Sequence, residues 1–411
     1  MWLLDKLLRR TVRHGKLTVL DAHGKRHDYG SKAADDGPQV TLRFTDSNAP
    51  GYIARHPRLG AAEAFMDGRM VIEEGDILGL MTMIRSSHPW EQGKSGLAGS
   101  NMRRLASAIR ARADRFNWER RSRRNVAHHY DLDAALYALF LDEDMQYSCA
   151  YFADPSIGLD QAQRDKKAHI AAKLALAPGQ RVLDIGCGWG GMALYLNAHA
   201  DVEVLGITLS AEQLRIARAR AAEAGVSDRV KFELIDYREV TGRFDRIVSV
   251  GMFEHVGPPH YQTFFSKCRA LLEEDGVMLL HTIGRMGKPS TTDAFTRKYI
   301  FPGGYIPALS EVIAASEKSR LAATDIETLR LHYAHTLQHW YDRTVAARAQ
   351  IEALYDARFW RMWCFYLAGA IVAFRYGAMC NHQIQFVRNR HALPITRDYM
   401  HAAEQALLAR G

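Results

Sequence analysis

Residues 181–191 read RVLDIGCGWGG. An apolar run, Val182 and Leu183, passes through Asp184 into a turn dense in glycine, and an alanine- and leucine-rich helical pattern follows from Met192 to Asn197. The order is strand, tight nucleotide-binding turn, helix. Gly186, Gly188 and Gly190 let the backbone approach a ligand without a Cβ in the way, and the helix behind them offers unpaired N–H groups. Phosphate loops and dinucleotide folds use the same device. Two details separate the cases. No Lys-Ser or Lys-Thr follows the glycines, which excludes a Walker phosphate loop, whose Lys must reach the terminal phosphates. The spacing Asp-x-Gly-x-Gly-x-Gly, with the acid ahead of the glycines, fits the turn that holds the amino-acid end of S-adenosylmethionine.

Downstream, the pattern continues as strands and helices in alternation. A second strand, Glu203 to Thr208, leads to Ser210 as an N-cap, with Gln213 three residues on at capping-box spacing. The carboxyl end of the second strand is where a doubly wound fold holds a ribose; an acid is the commoner choice, and Gln213 is the candidate here. Strand three, Val230 to Ile235, ends at Asp236 and Tyr237, a pair suited to adenine by hydrogen bond and stacking. Strand four, Phe244 to Val250, ends at Gly251–His255, and strand five, Gly276 to Leu280, ends at His281–Gly284. Ligands of open α/β sheets gather at the carboxyl ends of the strands, so Glu254 and His281 are expected over one crevice with the cofactor.

Five stretches then carry a resemblance: YSCAYF from Tyr147, VLDIGCGWGG from Val182, VSVGMFEHVG from Val248, LLHTIG from Leu279 and IFPGGYIPALS from Ile300. Together they resemble the cyclopropane-fatty-acyl-phospholipid synthase family, which includes the mycolic acid cyclopropane synthases. The likeness runs from about residue 125 to 380 in one register, with a weaker match ahead of it. It implies an α/β fold: a Rossmann-like S-adenosylmethionine-dependent methyltransferase domain with a doubly wound, mostly parallel seven-stranded sheet, behind a smaller N-terminal α+β domain. It also implies a reaction on lipid. In that family a cis alkene of a membrane phospholipid attacks the sulfonium methyl, leaving a carbocation that loses a proton from the new methyl as the ring closes. An alkene is a poor nucleophile, so the site must align it with the methyl and keep water from the cation. The family uses a bound bicarbonate as proton acceptor. By resemblance its cage is Cys149, Glu254, His281, the backbone at Ile283, and Tyr333, while Tyr147, Ser148, Asp184, the Gly186, Gly188 and Gly190 turn, Thr208, Ser210, Gln213, Asp236 and Tyr237 hold S-adenosylmethionine. The side chains have the chemistry such a cage needs, since His281 and the Tyr333 hydroxyl donate to an anion, and Glu254 accepts from the bicarbonate hydroxyl and orients His281.

Taken singly these residues say less. Cys149 alone reads as a buried small hydrophobe, and Cys187, inside the glycine turn, reads as packing. His281 at a strand end is ordinarily a satisfied polar group, Tyr333 alone carries no signal, and His255 shapes the turn. Their coincidence with the five stretches is what gives them weight. Methylation without ring closure, giving methyl-branched or methylene chains, and methylation of small amines are the neighbouring readings. A non-catalytic lipid-binding protein would tolerate a degraded cofactor turn, and this turn is complete.

Composition is that of a folded protein: 411 residues, 47% hydrophobic and 24% charged, enough chain for two domains. Five cysteines without a repeated short spacing make neither a zinc pattern nor a disulfide framework, so the expectation is no metal and a reducing cytoplasm. The first ten residues mix charge with apolar side chains, unlike a signal peptide, and the longest apolar run, Met362 to Phe374, has 13 residues, too few to span a bilayer and suited to a buried helix of the catalytic domain. The net charge of +8 is uneven: from Arg103 to Arg124 nine arginines face only Asp114 and Glu119. A solvated face is the plain reading and nucleic acid another, but there is no recognition motif, so the expectation is no nucleic acid and attraction to an anionic membrane surface. Trp2, Leu3, Leu4, Leu7 and Leu8 against Lys6, Arg9, Arg10 and Arg13 read as a basic amphipathic helix that lies on lipid or packs on its own domain.

The expected domains are 1–110, lipid-associated, with a strand at Gln39–Phe44 and helix, turn and helix across Gly60–Ile84; an arginine-rich connector, 111–124; and the catalytic domain, 125–411, opening at His128-His129-Tyr130-Asp131. Thr291 to Ser310 is expected to form part of a lid over the acyl chain, where Arg285, Lys288, Arg297 and Lys298 meet a phosphate headgroup. The tail, from Arg375 to a final helix at His401–Arg410, suits a dimer contact, since two-domain members of the family are commonly homodimers. The expected location is cytoplasmic, peripheral to the inner face of the cytoplasmic membrane.

Overall fold

A computed structural model describes residues 1–30, 37–56, 59–93 and 134–410. The stretches 111–124 and 128–131, singled out above, lie outside the described residues. In the N-terminal part, α1 (Trp2–Thr11) precedes β1 (Lys16–Leu20), β2 (Arg26–Gly30) and β3 (Gln39–Phe44); then come α2 (Ala49–Arg55), α3 (Gly60–Met66), β4 (Met70–Glu74) and α4 (Ile77–Ser86). Val40, Leu42 and Phe44 alternate inward on β3, as a period of two requires. The sheet order is β2-β1-β3-β4. Where a turn was expected between two helices, Met70–Glu74 forms a strand, because it pairs antiparallel with β3. Asp76 caps α4 by accepting from Gly79 N at 2.7 Å. On α1, Leu4 and Leu8 pack inward, whereas Trp2 is 74% and Leu3 53% exposed.

The sheet that matters for function comes next. Helix α5 (Leu159–Lys173) leads to β5 (Arg181–Ile185), α6 (Gly191–Ala200), β6 (Glu203–Thr208), α7 (Ala211–Glu223), β7 (Val230–Leu234), β8 (Phe244–Val250), α8 (Tyr261–Leu271), β9 (Leu272–Arg285), α9 (Leu309–Lys318) and β10 (Ala322–Leu329). After α10 (His332–Ala346), α11 (Arg348–Leu354) and α12 (Ala357–Arg375), the chain returns as β11 (Met379–Val387) and ends in α13 (Asp398–Leu408). The seven strands run β10-β11-β9-β8-β5-β6-β7. β11 is antiparallel to both neighbours, and the other pairings are parallel. Both faces are covered: Ile247, Phe264, Phe265, Leu280 and Phe386 fill one side, and Val182, Ala193, Leu196, Val248 and Leu279 the other. That is why these strands read as continuous apolar runs. Strand order reverses at β5, which opens a crevice at the carboxyl ends of β5 and β8.

Two expectations change. The fifth strand is not Gly276–Leu280 but a 14-residue strand through Arg285, because β11 pairs with it from Val277 to Arg285. His281 and Ile283 therefore lie within the strand. The second change is in the division of the chain. Residues 1–93, Thr292–Pro302 and Leu337–Ala378 cluster as one unit, and residues 134–291, Gly303–Thr336 and 379–410 as the other. The apolar run Met362–Phe374, expected in the catalytic domain, belongs with the first unit. There Phe365 packs on Phe65 and Phe295 at 6.2 and 4.9 Å, and Arg361 Nε donates to Met66 O at 2.7 Å. Lys298, expected to face a headgroup, donates to Glu63 at 2.7 Å in that same unit. Among the described residues no helix is long and apolar enough to cross a membrane.

Candidate active site

The turn after β5 has the geometry its glycines forecast. Gly186, Gly188 and Gly190 all have positive φ. A Cβ at Gly190 would stand 2.7 Å from Phe232 Cζ, and one at Gly186 2.8 Å from Met252 Cβ. Real side chains are excluded there by both backbone and neighbours. The turn forms one wall of a cleft lined further by Gln146, Tyr147, Ser148, Asp184, Thr208, Gln213, Asp236, Tyr237, Met252 and His255, among others. Most of the sequence-derived cofactor residues thus share one cavity at the carboxyl ends of β5, β6 and β7. Gly190 and Ser210 do not line it. Gly190 is spent on starting α6, and Ser210 caps α7 by accepting from Gln213 N at 3.3 Å.

Each cofactor residue has local support. Thr208 Oγ1 donates to Gln213 Oε1 at 2.9 Å, so what Gln213 offers a ligand is its amide donor. The Asp236 carboxylate, expected to meet adenine, lines the cleft and also receives Arg238, at 2.8 Å from Nε and 2.6 Å from Nη2. Tyr237 meets Phe264 edge-on, with the Arg238 guanidinium over its ring. Asp184 is buried with Oδ2 lacking a hydrogen-bond partner, and burial lifts its carboxyl to about 7. An orphaned buried acceptor beside the glycine turn fits the ammonium of an amino-acid moiety, and the adjoining donors and aromatic ring fit a nucleoside. S-adenosylmethionine supplies both.

Five other residues lie outside that lining: Cys149, Glu254, His281, Ile283 and Tyr333. β8 ends at Val250 while β9 runs on, which leaves residues 282–284 without a ladder partner on that edge among the described residues, before Arg285 bridges to Ala308. Gly251 N donates to His281 O at 2.9 Å, and Ile283 N donates to Glu254 Oε1 at 2.5 Å. The Ile283 N–H that resemblance offers to an anion is therefore given to Glu254. Glu254 Oε2 is buried with no hydrogen-bond partner among the described residues, and burial pushes this carboxyl up to about 7. Burial, reinforced by Lys166 and Lys173, drives His281 well below the ordinary histidine value, so its ring is neutral. On the other side the Tyr147–Phe152 loop docks on the start of α10: Ala150 N donates to Thr336 Oγ1 and Phe152 N to His332 Nδ1, both at 3.0 Å. Cys149 on that loop and Tyr333 on α10 are both buried. Burial raises the Cys149 thiol, which is thus not a thiolate nucleophile. His255 turns to the cofactor cleft, and burial holds it near 4, hence neutral.

Sequence reading missed Lys166. Its side chain is fully buried, with Nζ 2.7 Å from Gln146 Oε1 and 2.8 Å from Ser148 Oγ. Its charge acts on Asp184, Cys149 and His281 alike, so the two clusters surround one buried amine. Burial draws that amine down to about 8. The only available signal was Lys166, His169 and Lys173 at spacings of three and four on one helix face, a pattern that usually means solvent.

Fold and cleft together define an S-adenosylmethionine-dependent methyltransferase. Residues 117–384 match the mycolic acid cyclopropane synthetase family. The chain is 39% identical to the cyclopropane-fatty-acyl-phospholipid synthase of Escherichia coli K12 over 333 residues, covering 80% of this chain and 83% of that protein. It is 37% identical to a probable fatty acid methyltransferase of Pseudomonas putida, over 89% and 92% of the two chains. The cyclopropane synthase MmaA2 of Mycobacterium tuberculosis superposes with a TM-score of 0.62 at 33% identity, covering 64% of this chain and 97% of that one. CmaA1, solved with S-adenosylhomocysteine, gives 0.61 at 34%, over 64% and 97%. The chain belongs to the mycolic acid cyclopropane synthetase family.

Proposed function

We propose that this protein transfers the methyl of S-adenosylmethionine to the cis double bond of an unsaturated phospholipid acyl chain and closes a cyclopropane ring. The observation that carries the reading is Glu254, a carboxyl lifted to about 7, and His281, a neutral imidazole, whose neighbours Met252 and His255 in the chain and Val250 across the ladder line the cofactor cleft. S-adenosylmethionine supplies an electrophilic methyl. The alkene π electrons form the new C–C bond, the sulfonium leaves as a thioether, and the resulting cation closes to the ring as the methyl loses a proton. Bicarbonate, held among Cys149, Glu254, His281 and Tyr333, with the Ile283 N–H fixing Glu254 rather than meeting the anion, is the base we assign to that proton. The donor set suits it: His281 and Tyr333 donate to its oxygens, and the orphaned Glu254 Oε2 accepts its hydroxyl. Exposed Trp2 and Leu3 on α1 and the arginines between 103 and 124 are the contacts we assign to an anionic bilayer, on the cytoplasmic side of the membrane.

A second reading has its own support. Relatives matched along nearly the whole chain, the Pseudomonas putida protein and the tuberculostearic acid methyltransferase UfaA1 of Mycobacterium tuberculosis (33% identity over 93% of this chain), are named for methylation. The test is to incubate the protein with S-adenosylmethionine, bicarbonate and vesicles of a cis-monounsaturated phospholipid, then record mass and proton NMR of the acyl chains. A gain of one CH2 with upfield ring protons is expected. The same gain without those protons would make it a methylene- or methyl-alkene-forming enzyme, the product from which a saturated methyl branch arises once a hydride donor is added to the mixture, and no gain would sink the lipid assignment.

A further inference from the structure

Three neighbouring strands and a fourth set one residue each in a row across the sheet. Glu327 on β10 stands opposite Gln383 on β11, Gln383 opposite His281 on β9, and His281 opposite Val250 on β8. Side chains so paired leave the sheet on one face. Helix α5 lowers Lys173 and His169 onto it. Lys173 Nζ donates to Gln383 Oε1 at 2.7 Å and to Glu327, His169 Nε2 meets Glu327 Oε2 at 2.7 Å, and His169 Nδ1 meets Glu404 Oε1 on α13 at 2.8 Å. Burial pushes the Glu327 carboxyl up, but His169 and Lys173 outweigh it and hold it near 2; His169, despite burial, is raised by its two carboxylates. This chain of charges is closed on itself and leaves Gln383 no choice. An ammonium only donates, so the oxygen of the Gln383 amide faces Lys173, and its nitrogen faces His281 Nδ1 at 3.2 Å. An amide nitrogen only donates, so Nδ1 accepts and the ring proton sits on Nε2; this requires the Asn381 amide, whose nitrogen stands 3.5 Å from Nε2 and whose buried Oδ1 has no hydrogen-bond partner among the described residues, to turn its oxygen toward the ring.

We propose that Gln383 is a positioning residue that sets the tautomer of His281, and that the Lys173, Glu327, His169 and Glu404 chain, anchored in the C-terminal helix α13, holds it in that orientation. The catalytic consequence rests on the reading above that His281 serves the methyl-transfer centre: only the Nε2–H tautomer presents a donor on the side away from Gln383. The residue thus acts through His281 and touches no reactant.

The variant Gln383→Glu tests this. A carboxylate at 383 accepts from both sides, so it stabilises Nδ1–H and strips the proton from Nε2. The groups facing the ring are Lys166, Lys173 and His169 from α5, Glu327 from β10, and Asn381 and residue 383 from β11. The added negative charge raises the His281 pKa, and the imidazolium regains Nε2–H. The expected result is a kcat about 100-fold lower at pH 8, an unchanged KM for S-adenosylmethionine, and partial recovery as pH falls, a profile that simple loss of packing does not produce. Two-bond proton–nitrogen spectra of the unaltered, nitrogen-15 histidine-labelled protein, with His281 assigned by its loss in His281→Gln, report the tautomer without any reliance on activity. Nε2–H is expected, and Nδ1–H overturns the proposal. A Gln383→Glu enzyme with parental rate and pH profile, beside an inactive His281→Gln, also overturns it and leaves the cage reading standing. A fully active His281→Gln overturns both.

Discussion

Glu254 costs this protein stability that pH exposes. Its carboxyl titrates near 7 in the folded chain against 4.5 unfolded, because burial penalises the anion. Between those values the native state keeps a proton that the unfolded chain has released, so stability falls as pH rises through the window. Above about 7 the loss is complete, at about 3 kcal/mol from ~1.4 kcal/mol per unit. Glu254→Gln keeps the acceptor for Ile283 N and abolishes the titration. It should therefore match the parent near pH 4.5, be more stable by up to about 3 kcal/mol at pH 8, and lose methyl transfer. Denaturant midpoints at the two pH values check this, and Asp184, which titrates in the same window, is present in both proteins and cancels. Lys166 makes the opposite case. Lys166→Met removes the donor shared by Gln146 and Ser148 on the cleft wall, each bond from a charged donor being worth about 1.5–3 kcal/mol. Calorimetry should then show S-adenosylmethionine binding ~10- to 100-fold weaker, while the fold survives.

The elements that hold the cofactor make a sharper test of the glycine turn. Gly188 has a φ of +54° with nothing near a built Cβ, whereas Gly190, at +85°, faces Phe232 Cζ at 2.7 Å. Gly188→Ala should cost only the left-handed backbone penalty, about 1–2 kcal/mol, but Gly190→Ala adds a collision and should abolish binding. Phe232→Leu in the Gly190→Ala background should restore part of it, read as cofactor affinity and thermal midpoint. This turn was fully legible in the sequence, as were β6 and β8 to the residue, because apolar runs closed by turn chemistry are local signals. β9 was not: His281-Thr282-Ile283-Gly284 reads as a strand end until β11, a hundred residues later, pairs with it. Nor was α5, whose stretch LDQAQRDKKAHIAAK has no apolar stripe, so that buried Lys166 and Lys173 look like a wet face. Ser210 was read from the sequence both as the N-cap of α7, which it is, and as a cofactor contact, and Gly190 as part of the cofactor turn, because a cap and a contact have the same one-dimensional signature.

At the scale of the whole molecule the charge is concentrated rather than spread. Outside residues 103–124 the chain carries 45 basic against 44 acidic side chains, so nearly all of the net +8 lies in 22 residues. On the function proposed above the substrate is embedded in a bilayer and has to be met there, and a local excess of arginine supplies attraction at about 1 kcal/mol per residue within a Debye length of an anionic surface. Replacing Arg103, Arg104, Arg120 and Arg121 by Gln should then weaken binding to vesicles rich in anionic lipid by roughly 1000-fold at physiological salt. Binding to zwitterionic vesicles should hardly change, and turnover on substrate dispersed in neutral detergent should stay within about twofold, since such a substrate needs no attraction to an anionic surface. Raising salt to ~1 M shrinks the Debye length to ~3 Å and should bring parent and variant together. Vesicle sedimentation across a salt series measures all three. Equal affinity of the two proteins for anionic vesicles at low salt would mean that contact with lipid is made elsewhere, with exposed Trp2 and Leu3 on α1 the next side chains to change.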